Sequence, residues 1–160
     1  MTTVSRMLVP VDFSDGSRAA LEYAAFLAGS LHAAIDVLHV WEPPHMVSAE
    51  ITVKTPGGSG QTLAQFARSQ AGRQMEEFLS TLQRSGIVRA QGRLESGNVV
   101  DTILKVVTTG KYDMVVMNTH GRSGLSRLLM GSKAEKVVRL APCPVVTVPG
   151  GVADSDGKGP

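Results

Sequence analysis

Apolar and polar positions in this chain alternate between two periods. Runs of strand length occur at 6–12 (RMLVPVD), 33–40 (AAIDVLHV), 87–96 (IVRAQGRLES), 113–118 (DMVVMN) and 145–148 (VVTV). Between them, apolar residues recur at helical spacing. Leu21, Ala24, Ala25, Ala28 and Leu31 mark a helix over about 15–31, with Ser14 placed to cap it. Phe66, Ala67, Ala71, Met75, Phe78 and Leu82 mark a long helix over 62–85, with Gly86 suited to the position after its last turn. VVDTILKVVTTG (99–110) and SKAEKVVRLA (132–141) predict two further helices, the second stopped by Pro-Cys-Pro at 142–144. The stretch 41–60 carries three prolines and three glycines and lacks helical periodicity, so it is expected to be structureless.

The predicted order is β-α-β-α-β-α-β-α-β. Near-continuous Val, Ile and Leu strands separated by helices indicate an α/β fold: an open, doubly wound, five-stranded parallel sheet with helices on both faces. Pro10 resists this scheme, because proline removes a ladder donor, and it must lie at the end of the first strand or at an irregularity. Residues 1–149 form the expected domain. The polar, glycine-rich 150–160 is expected to be a disordered tail.

Composition narrows the class. With 160 residues, 42% of them hydrophobic, the chain can bury a sizeable core in one domain. A net charge of +2 without any block of like charges argues against a nucleic-acid footprint. No apolar run approaches the length of a membrane span, and the N-terminus lacks a signal-peptide pattern. The single cysteine, Cys143, has no intrachain partner, which suits a reducing cytoplasm.

The chemistry-bearing segment is NTHGRSGLSRLLMGS, 118–132, between the fourth strand and the last helix. Glycines at 121, 124 and 131 let backbone approach a ligand, and amides gathered at a helix start attract anions. Arg122, Arg127 and Lys133 add positive charge, and Ser132 adds a hydroxyl. The same features also suit a plain strand-to-helix connection with a solvated basic face. Asp12, at the mouth of the first strand, can accept from an adenine amino group or a ribose hydroxyl, or can cap the next helix. Val40, after the second strand, can touch a base edge or be an ordinary core residue. In open α/β sheets, ligands lie beyond the carboxyl ends of the strands where strand order reverses. That rule gathers 11–14, 39–41 and 117–124 around one crevice if strands one and four are neighbours. The Walker and GxGxxG patterns, the GxSxG elbow and HExxH are all absent. No dedicated general base stands out, so binding is expected rather than catalysis.

These segments together resemble the universal stress protein family. The resemblance rests on MLVPVDFS (7–14), LHV (38–40), the proline- and glycine-rich insert, GSKAEKVVRLAPCPVVTV (131–148) and a glycine motif, G-x2-G-x9-G-[ST]. Gly121 takes the place of its second glycine, and Gly131-Ser132 closes it; Asn118 stands where the first glycine is expected. The resemblance implies a Rossmann-like, adenine nucleotide alpha hydrolase-like fold and a homodimer formed through the last strand. It further implies a stress-response regulator that binds ATP accompanied by Mg²⁺. Asp12 would meet the adenine end, Val40 and Met117 the base and sugar, and Asn118 the ribose. Gly121, Gly131 and Ser132 would hold the triphosphate. Weak ATP hydrolysis is compatible with this arrangement. The alternative, favoured by Asn118, is a nucleotide-free interaction protein of the same fold.

Overall fold

The structure is a computed structural model that describes residues 3–42, 51–54, 60–84, 90–119 and 130–149. The chain runs β1 (Arg6–Pro10), α1 (Asp15–Leu31), β2 (Ala34–Trp41), β3 (Thr52–Lys54), β4 (Gly60–Thr62), α2 (Leu63–Arg84), β5 (Ala90–Ser96), α3 (Val99–Gly110), β6 (Met114–Asn118), α4 (Ser132–Leu140) and β7 (Val145–Val148). Five strands form one sheet in the order β5-β2-β1-β6-β7, every neighbouring pair parallel. Successive β-α units therefore grow outward from β1 in one direction and then in the other. The reversal of strand order falls between β1 and β6.

Side chains alternate across the strands with a period of two, so each strand feeds two cores. On one face Leu8, Leu38, Val40, Val115 and Met117 pack with Ile103 and Val107 of α3 and with Ala134 and Val137 of α4. On the other, Met7, Val9, Val37 and Val116 pack with Leu21 and Ala24 of α1 and with Met75 and Phe78 of α2. Cys143 packs at the edge of the first core, and burial pushes its thiol pKa up, which suits a small packing residue.

Local chemistry sets the element ends. Ser14 caps α1 by accepting from the Ser17 amide. Asn98 caps α3, its side chain accepting from the amides of Val100 and Asp101. Pro10 is the last residue of β1. Pairing of β1 with β6 ends at Leu8 opposite Val115, so the missing N–H costs that ladder nothing. On the β2 side, the next amide, Val11, donates to the Leu38 carbonyl at 2.8 Å.

The amino ends of the strands are tied by charge. The Arg6 guanidinium contacts Asp36 at 2.7 Å and lies 4.6 Å from the Tyr112 ring centroid, while the Tyr112 hydroxyl also donates to Asp36. Asp113 accepts from the amides of Ser5 and Arg6, joining the start of β6 to the start of β1.

The stretch 41–60 is not structureless throughout. Within 41–60 and its border, Thr52–Lys54 pairs antiparallel with Gly60–Thr62 to form a separate two-stranded sheet. Strands of three residues are too short to show a period-two pattern, so composition alone hid them.

Candidate functional site

A cleft of about 540 Å³ opens at the carboxyl ends of β1, β2 and β6, where the strand order reverses. Leu38, Val40, Ile103, Met117 and Ala134 give it an apolar lining. Val40 and Met117 are both nearly buried and belong to the same core. The polar lining includes Asp12, His39, Glu42, Asn118, Thr119, Ser132 and Lys133. An apolar pocket with a few convergent polar groups is the usual form of a small-molecule site.

Asp12 stands at the cleft wall in a turn of its own making. Its Oδ1 accepts from the Ser14 and Ser17 hydroxyls and from the Ser14 amide, and the Ser17 hydroxyl in turn accepts from the Asp12 amide at 3.0 Å. Asp12 thus helps to start α1, one of the two roles its position suggests. Phe13 next to it has φ 63°, uncommon for a residue with a side chain. Its ring lies 4.3 Å from that of His39 and 5.6 Å from that of Phe78, so packing holds the turn. His39 Nδ1 is 2.9 Å from the Val11 carbonyl, a local partner that fits a structural histidine.

Asn118 ends β6. Met117 faces the cleft core, and Asn118 turns its side chain the other way, toward Gly16 of α1. The chain returns at Gly131, whose amide donates to the Thr119 carbonyl at 2.8 Å. Gly131 then serves as N-cap of α4 with φ −60°, a conformation open to every residue type, and as a glycine it contributes no side-chain cap of its own. The Gly131 amide is therefore engaged within the backbone. The first-turn amides of Ser132, Lys133 and Ala134 are the ones that helix geometry leaves without intrahelical acceptors. They begin α4 at the cleft.

Across the cleft mouth, the Lys133 ammonium contacts Glu42 Oε2 at 3.0 Å. Glu42 Oε1 lies 3.5 Å from the Val99 amide, the first residue of α3. The Glu42 carboxylate thus lies near the amino end of α3, where negative charge is favoured, and beside the ammonium of a first-turn residue of α4.

The structure gathers Asp12, Val40, Met117, Asn118, Gly131 and Ser132 around one cleft. Gly121, with His120, Arg122, Gly124 and Arg127, lies outside the described residues, as do Gly86 and the 150–160 tail. Sequence reasoning included Thr119 only as part of 117–124 and missed Glu42, Ile103 and Ser17. Glu42 carried a positional signal, standing just past the carboxyl end of a strand. Ile103 and Ser17 gave none beyond ordinary helix positions. Among the described residues no group of three or more His, Cys, Asp or Glu side chains could hold a metal ion, and no helix is long and apolar enough to cross a membrane.

A doubly wound parallel sheet with a cleft at its switch point defines a Rossmann-like α/β protein. The Universal stress protein family matches residues 3–149, and the chain belongs to that family. Universal stress protein A homolog 1 of Coxiella burnetii is 29% identical over 143 residues, which cover 89% of this chain and 94% of the relative. Two solved structures share the fold. A universal stress protein in complex with cAMP superposes with a TM-score of 0.66 at 19% identity, covering 93% of this chain and 99% of the other. A family member from Arabidopsis thaliana with AMP bound gives a TM-score of 0.61 at 19% identity, covering 96% and 97%.

Proposed function

We propose that this protein is a homodimeric regulatory module of the stress response that binds ATP in the switch-point cleft. The observation that carries the reading is the meeting of Asp12, Val40, Met117 and the start of α4 around one cavity of about 540 Å³. Val40 and Met117 offer apolar contact to the base and sugar. Asp12 offers carboxylate and backbone groups at the adenine end. The amides of Ser132–Ala134 and the Ser132 hydroxyl face the phosphates, joined by Gly121. Relatives of the same fold with cAMP and AMP bound support an adenine nucleotide as the occupant. Mg²⁺ would travel with the phosphates, since the described residues offer no cage for it.

Asn118 motivates the alternative of a nucleotide-free interaction protein, on the argument that its side chain crowds the ribose. The contact between that side chain and Gly16 weighs against crowding. Dimerisation through β7 is supported by its place at the sheet edge and by the exposed Val138 and Leu140 of α4. A cytoplasmic, binding rather than catalytic role completes the reading, with ATP turnover slow at most.

Calorimetric titration with ATP in the presence of Mg²⁺ tests the proposal. The expected result is saturable heat with one site per chain. No heat, and no competition by AMP or cAMP at millimolar concentration, would overturn it.

A further inference from the structure

We propose that Glu42 is a selectivity residue of this cleft. It holds Lys133 when no ligand is present, so a phosphorylated occupant must displace its carboxylate, whereas an unphosphorylated nucleoside need not. The inference rests on the nucleotide reading above and concerns what sets its preference.

Glu42 and Lys133 are 91 positions apart in sequence, and the fold alone brings them together. Glu42 is the residue after β2, and Lys133 is the second residue of α4. Both line the cleft. The carboxylate lies beside the ammonium and near the Val99 amide, which is where an anion at this rim would be stabilised. The chain's own anion therefore takes a place suited to a phosphate. The other carboxylate lining the described part of the cleft, Asp12, is engaged by the Ser14 and Ser17 hydroxyls.

Magnitude decides whether such a contact locks the cleft or only biases it. The two side chains are 58% and 38% exposed, so the pair falls among weak surface ion pairs. Its strength corresponds to about a two- to fivefold effect on a competing anion. A ligand with several phosphate charges can displace it, and a nucleoside does not compete with it at all. Glu42 thus lowers the preference for phosphorylated over unphosphorylated ligand by a modest, adjustable factor.

The test is calorimetric titration of wild type, E42Q, K133Q and E42Q/K133Q with Mg²⁺-ATP and with adenosine at one ionic strength. The expected result is that E42Q binds ATP about two- to fivefold more tightly, leaves adenosine unchanged, and gives no gain on the K133Q background. Equal tightening of both ligands, tightening that persists without Lys133, or unchanged or weaker ATP binding by E42Q overturns the role of Glu42. These outcomes leave the nucleotide reading standing. If no variant binds ATP, that reading fails and the role of Glu42 falls with it. Where adenosine is too weak to register, the K133Q background decides alone.

Discussion

The side-chain amide of Asn118 lies against the backbone of Gly16, so closely that a Cβ built on Gly16 would stand 2.8 Å from Asn118 Nδ2. The missing side chain at 16 makes room for the one present at 118. The resemblance puts Asn118 where the motif's first glycine is expected, and its bulk goes to the α1 side of the sheet.

Asn118→Gly should therefore cost stability without opening the cleft. Removing a buried polar side chain and adding backbone freedom predicts a loss of about 1–3 kcal/mol. ATP affinity should change by less than about threefold, a difference below 1 kcal/mol. Urea unfolding and calorimetry read the two quantities separately. Binding that appears only in Asn118→Gly would instead mean that the asparagine blocks the ribose.

The converse substitution, Gly16→Ala, places a methyl group against the amide. Alanine favours the helix by about 0.5–1 kcal/mol, yet a contact of 2.8 Å forces Asn118 to move. The expected outcome is little net change in stability and a shift of the Asn118 side-chain amide resonances in NMR spectra. An unmoved Asn118 signal would show that the backbone yields instead.

The serine cluster at the other wall predicts non-additivity. Ser14 and Ser17 both donate to Asp12 Oδ1, and Ser17 is fully buried. Ser14→Ala removes the cap of α1 and should cost about 1 kcal/mol. Ser17→Ala also leaves the Asp12 amide without its acceptor and should cost about 1–3 kcal/mol. Because both act through one oxygen, the double variant should differ from the sum by at least about 0.5 kcal/mol in urea unfolding.

The parallel sheet was legible because its central strands β1, β2 and β6 are apolar on both faces and its helices keep their period; Ser14 and the Pro-Cys-Pro stop read directly as punctuation. The cleft was legible where position decides its lining: Asp12 and Val40 follow from strand ends, and the stretch beginning at Met117 from the strand reversal. Direction was harder. Only the pleat tells that Met117 faces the cleft while Asn118 turns to α1, and only tertiary pairing ties the Gly131 amide to Thr119. The Glu42–Lys133 pair joins residues 91 apart, and nothing local signals it. The β3–β4 hairpin was invisible for want of length.

Asp113 makes stability depend on acid. Amides of Ser5 and Arg6 donate to its carboxylate, the chief reason its pKa lies below the usual 3.8, with the Arg6 charge adding less. A pKa lower in the folded than in the unfolded state means that the unfolded chain binds the proton more readily. The contribution is thus complete above about pH 4 and is lost as pH falls through the depressed folded value. Asp113→Ala should be less stable than wild type at pH 7, and the gap between their urea midpoints should narrow below pH 4. A gap that stays constant to pH 2 would show that the carboxylate charge contributes nothing.

Among the described residues β7 forms one edge of the five-stranded sheet. Val115 donates to the Pro144 carbonyl and Thr119 to that of Val148, so even-numbered residues of this segment turn their backbone groups toward β6. In a parallel ladder the intervening Val145 and Thr147 then point theirs away from the sheet. If two chains join through β7, these outward groups make the junction. Thr147→Pro removes an outward N–H and leaves the β6 ladder its donors. The substitution should convert a dimer to a folded monomer in sedimentation equilibrium, with far-ultraviolet circular dichroism unchanged. Pro at Val146, whose amide faces β6, should instead destabilise the fold itself. A Thr147→Pro protein that remains dimeric would place the junction elsewhere on the surface.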